Sequence, residues 1–86
     1  MFEVIFRPKA AKQLRKLRNP LVVSQIYEAI KLLEDWPHCQ NVKALVNHAY
    51  PYRLRVGHYR VFFSIENDHL QVVHIEEVRK RDERTY

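Results

Sequence analysis

The spacing of apolar residues changes twice along this chain, and each spacing predicts a different kind of element. Phe2–Arg7 (FEVIFR) is rich in aromatic and β-branched residues, which predicts a strand. From Pro8 the spacing lengthens. In PKAAKQLRKLR, Ala11, Leu14 and Leu17 share one helical face, and Lys9, Lys12, Arg15 and Lys16 fall elsewhere. Pro8 suits the first helical turn, where its missing N–H costs nothing. Asn19-Pro20 interrupts this helix, because a residue before proline is disfavoured in the helical region. A second helix is predicted over residues 20–36, with Val23, Ile26, Ile30, Leu33 and Trp36 inward and Gln25, Glu28, Lys31 and Asp35 toward water. Pro37 stops it. So short a break predicts a helical hairpin.

HCQNVKALVNHAY (residues 38–50) follows neither period and reads as a loop with at most a short turn or bridge. The spacing then drops to two in YRLRV, YRVFFSIE and LQVVHIEEV. Gly57-His58 and Asn67-Asp68 lie at the joints and are short enough for hairpins. The expected fold is α+β. An N-terminal strand and a helical hairpin precede a three-stranded antiparallel meander (β-α-α-β-β-β), all in a single domain over residues 1–86. Tyr52, Leu54, Val61, Phe63, Val73 and Ile75 are the expected sheet side of the core.

Composition removes several functions. Gly57 is the sole glycine, so Gly-rich phosphate loops are excluded. Cys39 is the sole cysteine, which leaves no intrachain disulfide and no cysteine metal cluster, and reads as a small hydrophobe. His38, His48, His58, His69 and His74 show no zinc-binding spacing, so neither a metal nor another cofactor is expected. No apolar run is long enough for a membrane span or a signal peptide, and the expected location is the cytoplasm. The formal net charge of +5 points to a polyanionic or acidic partner.

The charge is concentrated. Arg53 and Arg55 share one face of their strand, opposite Leu54 and Val56, and Arg60 opens the next strand across the hairpin. The window YRLRVGHYR contains no acid. Like charges on neighbouring strands repel by tenths of a kcal/mol to about 1 kcal/mol per pair, so either an anionic ligand or acids from elsewhere in the fold must offset them. Tyr50, Tyr52 and Tyr59 lie among these arginines, a composition suited to single-stranded RNA, although Tyr52 shares the inward face of Leu54. The first helix offers a second basic surface, Arg7, Lys9, Lys12, Arg15, Lys16 and Arg18, which is either a contact for nucleic-acid backbone or simply the solvated face of the helix.

With YRLRVGHYRVFFSIEND and the tail KRDERTY in this order, the whole chain resembles the RelE/ParE superfamily of toxins from toxin–antitoxin pairs, and its tail resembles the RelE branch. That resemblance implies an mRNA endoribonuclease (an mRNA interferase) acting in the ribosomal A site, near 16S rRNA, and so inhibiting translation. Its metal-free chemistry has the RNA 2′-OH attack the adjacent phosphate. Carried over by position, the catalytic set is Arg53, Arg55, Arg60, Arg81 and Tyr86. Arg60 and Arg81 would hold the phosphate and Tyr86 would stack on the target nucleotide. Lys80 and Arg84 in the tail would join the first-helix cations in contacting RNA or ribosome. A cognate antitoxin is the implied protein partner.

One departure bears on mechanism. Where the best-known RelE-type toxins carry a lysine pair, this chain has Arg53 and Arg55, whose pKa of about 12.5 or above rules out proton abstraction at neutral pH. The general base is then Tyr86, a histidine such as His74, or water, unless catalysis leans on electrostatics alone. The alternative reading is a ParE-type toxin that binds DNA gyrase and cuts nothing. A third is an accessory module whose catalytic set has decayed.

Overall fold

The computed structural model of the chain describes residues 1–81. The elements are β1 (Glu3–Phe6), α1 (Pro8–Lys16), α2 (Pro20–Lys31), a 3₁₀ turn (Leu32–Asp35), β2 (Val42–Ala44), β3 (Tyr52–Val56), β4 (Tyr59–Asn67) and β5 (Gln71–Lys80). The strands form one sheet in the order β1-β5-β4-β3-β2. β3, β4 and β5 make the expected antiparallel meander, and β1 runs parallel to β5, with Glu3 opposite Val72 and Phe6 opposite Ile75. Both helices pack on one face of this sheet, so the α+β arrangement holds. Among the described residues no helix is long and apolar enough to cross a membrane.

Three details depart from expectation. The buried residues of α1 are Ala10 and Leu14, not Ala11, and Leu17 is already extended at the helix end and only half-buried. α2 stops at Lys31. The next four residues tighten into the 3₁₀ turn, which still delivers Leu33 fully into the core. The predicted loop also contains a strand: β2 pairs Val42 with Leu54 and Ala44 with Tyr52. Three residues show no period of their own. The strand forms because the outer edge of β3 needs hydrogen-bond partners, and Arg55 N–H also donates to Asn41 O at 2.9 Å.

Local chemistry fixes the ends of the helices. Asn19 caps α2, its Oδ1 accepting from Leu21 N–H (3.1 Å) and Val22 N–H (3.3 Å). β1 ends at Phe6, so β5 beyond Ile75 has no strand on that side. Arg7 N–H donates to Ile75 O at 2.8 Å, and the Gln13 side chain of α1 accepts from Val78 N–H at 2.6 Å. A helix side chain thus continues the ladder where the strand stops.

The core gathers Ala10, Leu14, Ile26, Ile30 and Leu33 from the helical layer against Leu54, Val61, Phe63, Val73 and Ile75 of the sheet. Trp36 lies edge-on to Phe63 (5.5 Å) and Tyr52 (4.7 Å), and Tyr52 stacks on Phe63. Tyr52 therefore belongs to the core side. β5 contains a bulge. Phe62 pairs with Glu77 but Phe63 pairs with Ile75, which leaves Glu76 as the extra residue. The bulge inverts the alternation: Ile75 and Val78 both face the core, and Glu77 and Arg79 turn to the opposite face.

Candidate phosphate site

The face turned away from the helices collects the arginines. Leu54 is buried in the core, so period two forces Arg53 and Arg55 to the other side. Val56 pairs with Tyr59 across the two-residue loop Gly57-His58, and Gly57 has φ +57°, as the first position of a type II′ hairpin requires. This turn sets Arg60 directly opposite Arg55. Tyr59 pairs with Lys80, and one step further Arg81 N–H donates to His58 O at 2.6 Å. The end of β5 is thereby held against the hairpin tip.

These constraints converge on a cavity of about 130 Å³ lined by Arg53, Arg55, Gly57, Tyr59, Arg60 and Arg81. Arg53 Nε is buried and has no hydrogen-bond partner among the described residues. An unsatisfied charged donor is expensive, and an anion with several acceptor oxygens would satisfy it. The lining has no carboxylate or imidazole among the described residues. What it offers is fixed positive charge, planar N–H forks and the phenol of Tyr59.

The other sequence candidates fall in three places. Tyr86 and Arg84 lie outside the described residues. Lys80 ends β5, exposed, opposite Tyr59. Lys9, Lys12, Arg15 and Lys16 lie on α1, which runs beside β5. Of these, Lys9 reaches the sheet, with Nζ 3.2 Å from Glu77 Oε1. His74 is away from the cavity. It pairs with Ser64, about 14 Å along β4 from Arg60 at strand rise, and its Nε2 is hydrogen-bonded to Glu66 Oε1 at 3.0 Å. Cys39 shares no part of the lining. Burial, and then the charge of Asp35, push its thiol up, which keeps it protonated and unreactive at neutral pH.

Two further features of this face escape the sequence pattern. Arg79 stands directly opposite Arg60, so Arg55, Arg60 and Arg79 form a row across β3, β4 and β5. Glu77, 5% exposed, receives Arg79 Nε at 2.9 Å as well as Lys9. Burial alone would raise its carboxyl, but the hydrogen bonds and charges of Arg79 and Lys9 outweigh it and hold the pKa below the ordinary value. Beside Arg53, the loop before β3 folds over Phe62. His48 stacks on the Phe62 ring at 5.0 Å, and Tyr50 lies 5.7 Å from it. Tyr50 N–H donates to His48 Nδ1 at 3.1 Å.

Residues 4–85 match the profile of the ParE toxin of the type II toxin–antitoxin system parDE. The chain belongs to the ParE toxin family. Among solved structures, this toxin is similar to the toxin–antitoxin complex RelBE2 from Mycobacterium tuberculosis. The TM-score is 0.78 at 28% identity, over 93% of this chain and 98% of that one. No curated protein matches the sequence at a significant level. The toxin–antitoxin role is the one expected from the sequence, and a toxin of this type has a cognate antitoxin as its protein partner. The profile carries the ParE name and the structural likeness the RelBE2 name, so the choice of target rests on the site itself.

Proposed function

We propose that the toxin is a ribosome-dependent mRNA endoribonuclease and that the arginine cavity grips the scissile phosphate. The observation that carries this reading is the convergence of Arg53, Arg55, Arg60 and Arg81 on one phosphate-sized space. A protein that only binds gyrase has no need to assemble such a space. In the reaction the RNA 2′-oxygen attacks the adjacent phosphorus and the P–O5′ bond breaks. One fragment ends in a 2′,3′-cyclic phosphate, and the 5′-oxygen of the other gains a proton. Negative charge builds on the non-bridging oxygens in the transition state, and preorganised guanidinium groups stabilise it without reorganising.

Apart from the Tyr59 hydroxyl, the described lining has no group that can take the 2′-OH proton, so its main contribution is electrostatic. Proton transfer falls to water, to the Tyr59 or Tyr86 hydroxyl, or to a histidine nearer than His74, which pairs with Ser64 about 14 Å along β4 from Arg60. Arg81, held to the hairpin tip, is suited to charge on the leaving 5′-oxygen. Lys9, Lys12, Arg15, Lys16, Lys80 and Arg84 are proposed to contact mRNA or 16S rRNA backbone in the ribosomal A site. Purified toxin added to programmed ribosomes should cut mRNA, as read by primer extension. Arg81→Ala and Tyr86→Ala should each lower the rate by at least about 100-fold. Intact mRNA together with arrested gyrase supercoiling would replace this reading with the gyrase one.

A further inference from the structure

The row of arginines extends beyond the cavity. Arg55 and Arg60 line it, but Arg79, the next position across the sheet, does not. From Arg55 to Arg79 is two strand spacings, about 10 Å, which is wider than one phosphate group. Arg79 is also held in place. Its Nε is fixed on buried Glu77 while its side chain stays 65% exposed, so the anchored side chain remains accessible to an anion. The same carboxylate fixes Lys9 from α1, whose side chain is 58% exposed. One buried acid thus anchors two cations, and the trio keeps a net charge of +1. A lone surface arginine loses rotamer entropy on gripping an anion, and Arg79 has already lost much of it in the free protein.

We propose that Arg79, tethered by Glu77 and flanked by Lys9, is a second phosphate subsite for the RNA backbone next to the scissile phosphate. This inference rests on the reading of the cavity as an RNA phosphate site and assigns the direction in which the strand leaves it. The chain crosses β4 and β5 toward α1, and not along the strands toward His74. The His48-Tyr50-Phe62 cluster lies on the same face beside Arg53, so bases have an aromatic surface on one flank of the track. Glu77 is a positioning residue, because it acts only through Arg79 and Lys9.

The test uses uncleavable 2′-O-methyl RNA, a dinucleotide with one phosphate and a tetranucleotide with three, titrated into purified toxin at several salt concentrations. Arg79→Ala is expected to weaken tetranucleotide binding about five- to tenfold. It should lower the slope of log K against log salt by roughly 0.7, one single-strand contact, and leave the dinucleotide unaffected. Arg79→Lys should keep the salt slope, and a cooperative melt with an unaltered circular dichroism spectrum shows that each variant is folded. Equal binding of the tetranucleotide by wild type and Arg79→Ala overturns the proposal. So does an equal loss for both lengths, or a loss seen only in antitoxin binding. Cleavage on ribosomes judges the nuclease reading separately. Intact mRNA with a persistent Arg79-dependent gain from dinucleotide to tetranucleotide sinks the nuclease and keeps the subsite, whereas cut mRNA with no binding of either RNA sinks the subsite and keeps the nuclease.

Discussion

Burying a charged N–H without a partner costs about 1–3 kcal/mol, and Arg53 Nε bears that cost among the described residues. Arg53→Met should therefore stabilise the fold by up to about 1 kcal/mol, a rise of roughly 4–8 °C in Tm, while weakening mRNA cleavage. A melting curve beside a cleavage assay checks both halves, and a destabilised variant would show that Arg53 is satisfied in the free toxin. Glu77 acts in the opposite sense. Its folded pKa lies below the ordinary carboxylate value of about 4.3, so the stability it contributes is complete above that value. It is lost as pH falls through the depressed folded pKa. In urea unfolding between roughly pH 3 and 6, wild type should weaken steadily at the acid end, and Glu77→Gln should be flatter there and weaker at neutral pH. Parallel pH profiles for the two would show that Glu77 is not held charged by its neighbours.

At the level of elements, the difference between what was legible and what was not comes down to alternation. Arg53, Arg55 and Arg60 are readable because period two and a glycine hairpin fix their face and their pairing. Arg79 is not readable. Strict alternation from Val73 and Ile75 sends residues 77 and 79 into the core, and only the unpaired Glu76 turns them out. Arg81 was legible by resemblance alone, and its anchor, the hydrogen bond to His58 O, is a product of strand register. β2 owes its existence to the edge it covers, and in α1 the shift from Ala11 to Ala10 is one residue of helical phase. Gln13 belongs with these. As a polar residue on an amphipathic helix it reads as solvent-facing, yet it caps the open edge of β5 at Val78. Gln13→Ala leaves that buried N–H unpaired and should cost about 1–3 kcal/mol by chemical denaturation. A change below about 0.3 kcal/mol would mean that water or a neighbouring group replaces it.

In the whole molecule, the sheet separates stability from function. One face holds the helices and the aromatic packing of Trp36, Tyr52 and Phe63, and the other carries the arginine row and its anchor. The toxin–antitoxin family was legible because the motifs run the length of the chain. The cellular target was not, since toxins that cut mRNA and toxins that bind gyrase can share a fold and differ only in what the exposed face assembles. The net charge of +5 suits both an RNA target and an acidic antitoxin segment laid over the same face. The most direct test is single-turnover cleavage of mRNA on programmed ribosomes by wild type and Arg60→Ala, with the fragment ends identified chemically. A fragment ending in a 2′,3′-cyclic phosphate is expected, with a rate at least about 100-fold lower for Arg60→Ala. Uncut mRNA with wild type, or equal rates for the two proteins, contradicts a phosphate site built from these arginines.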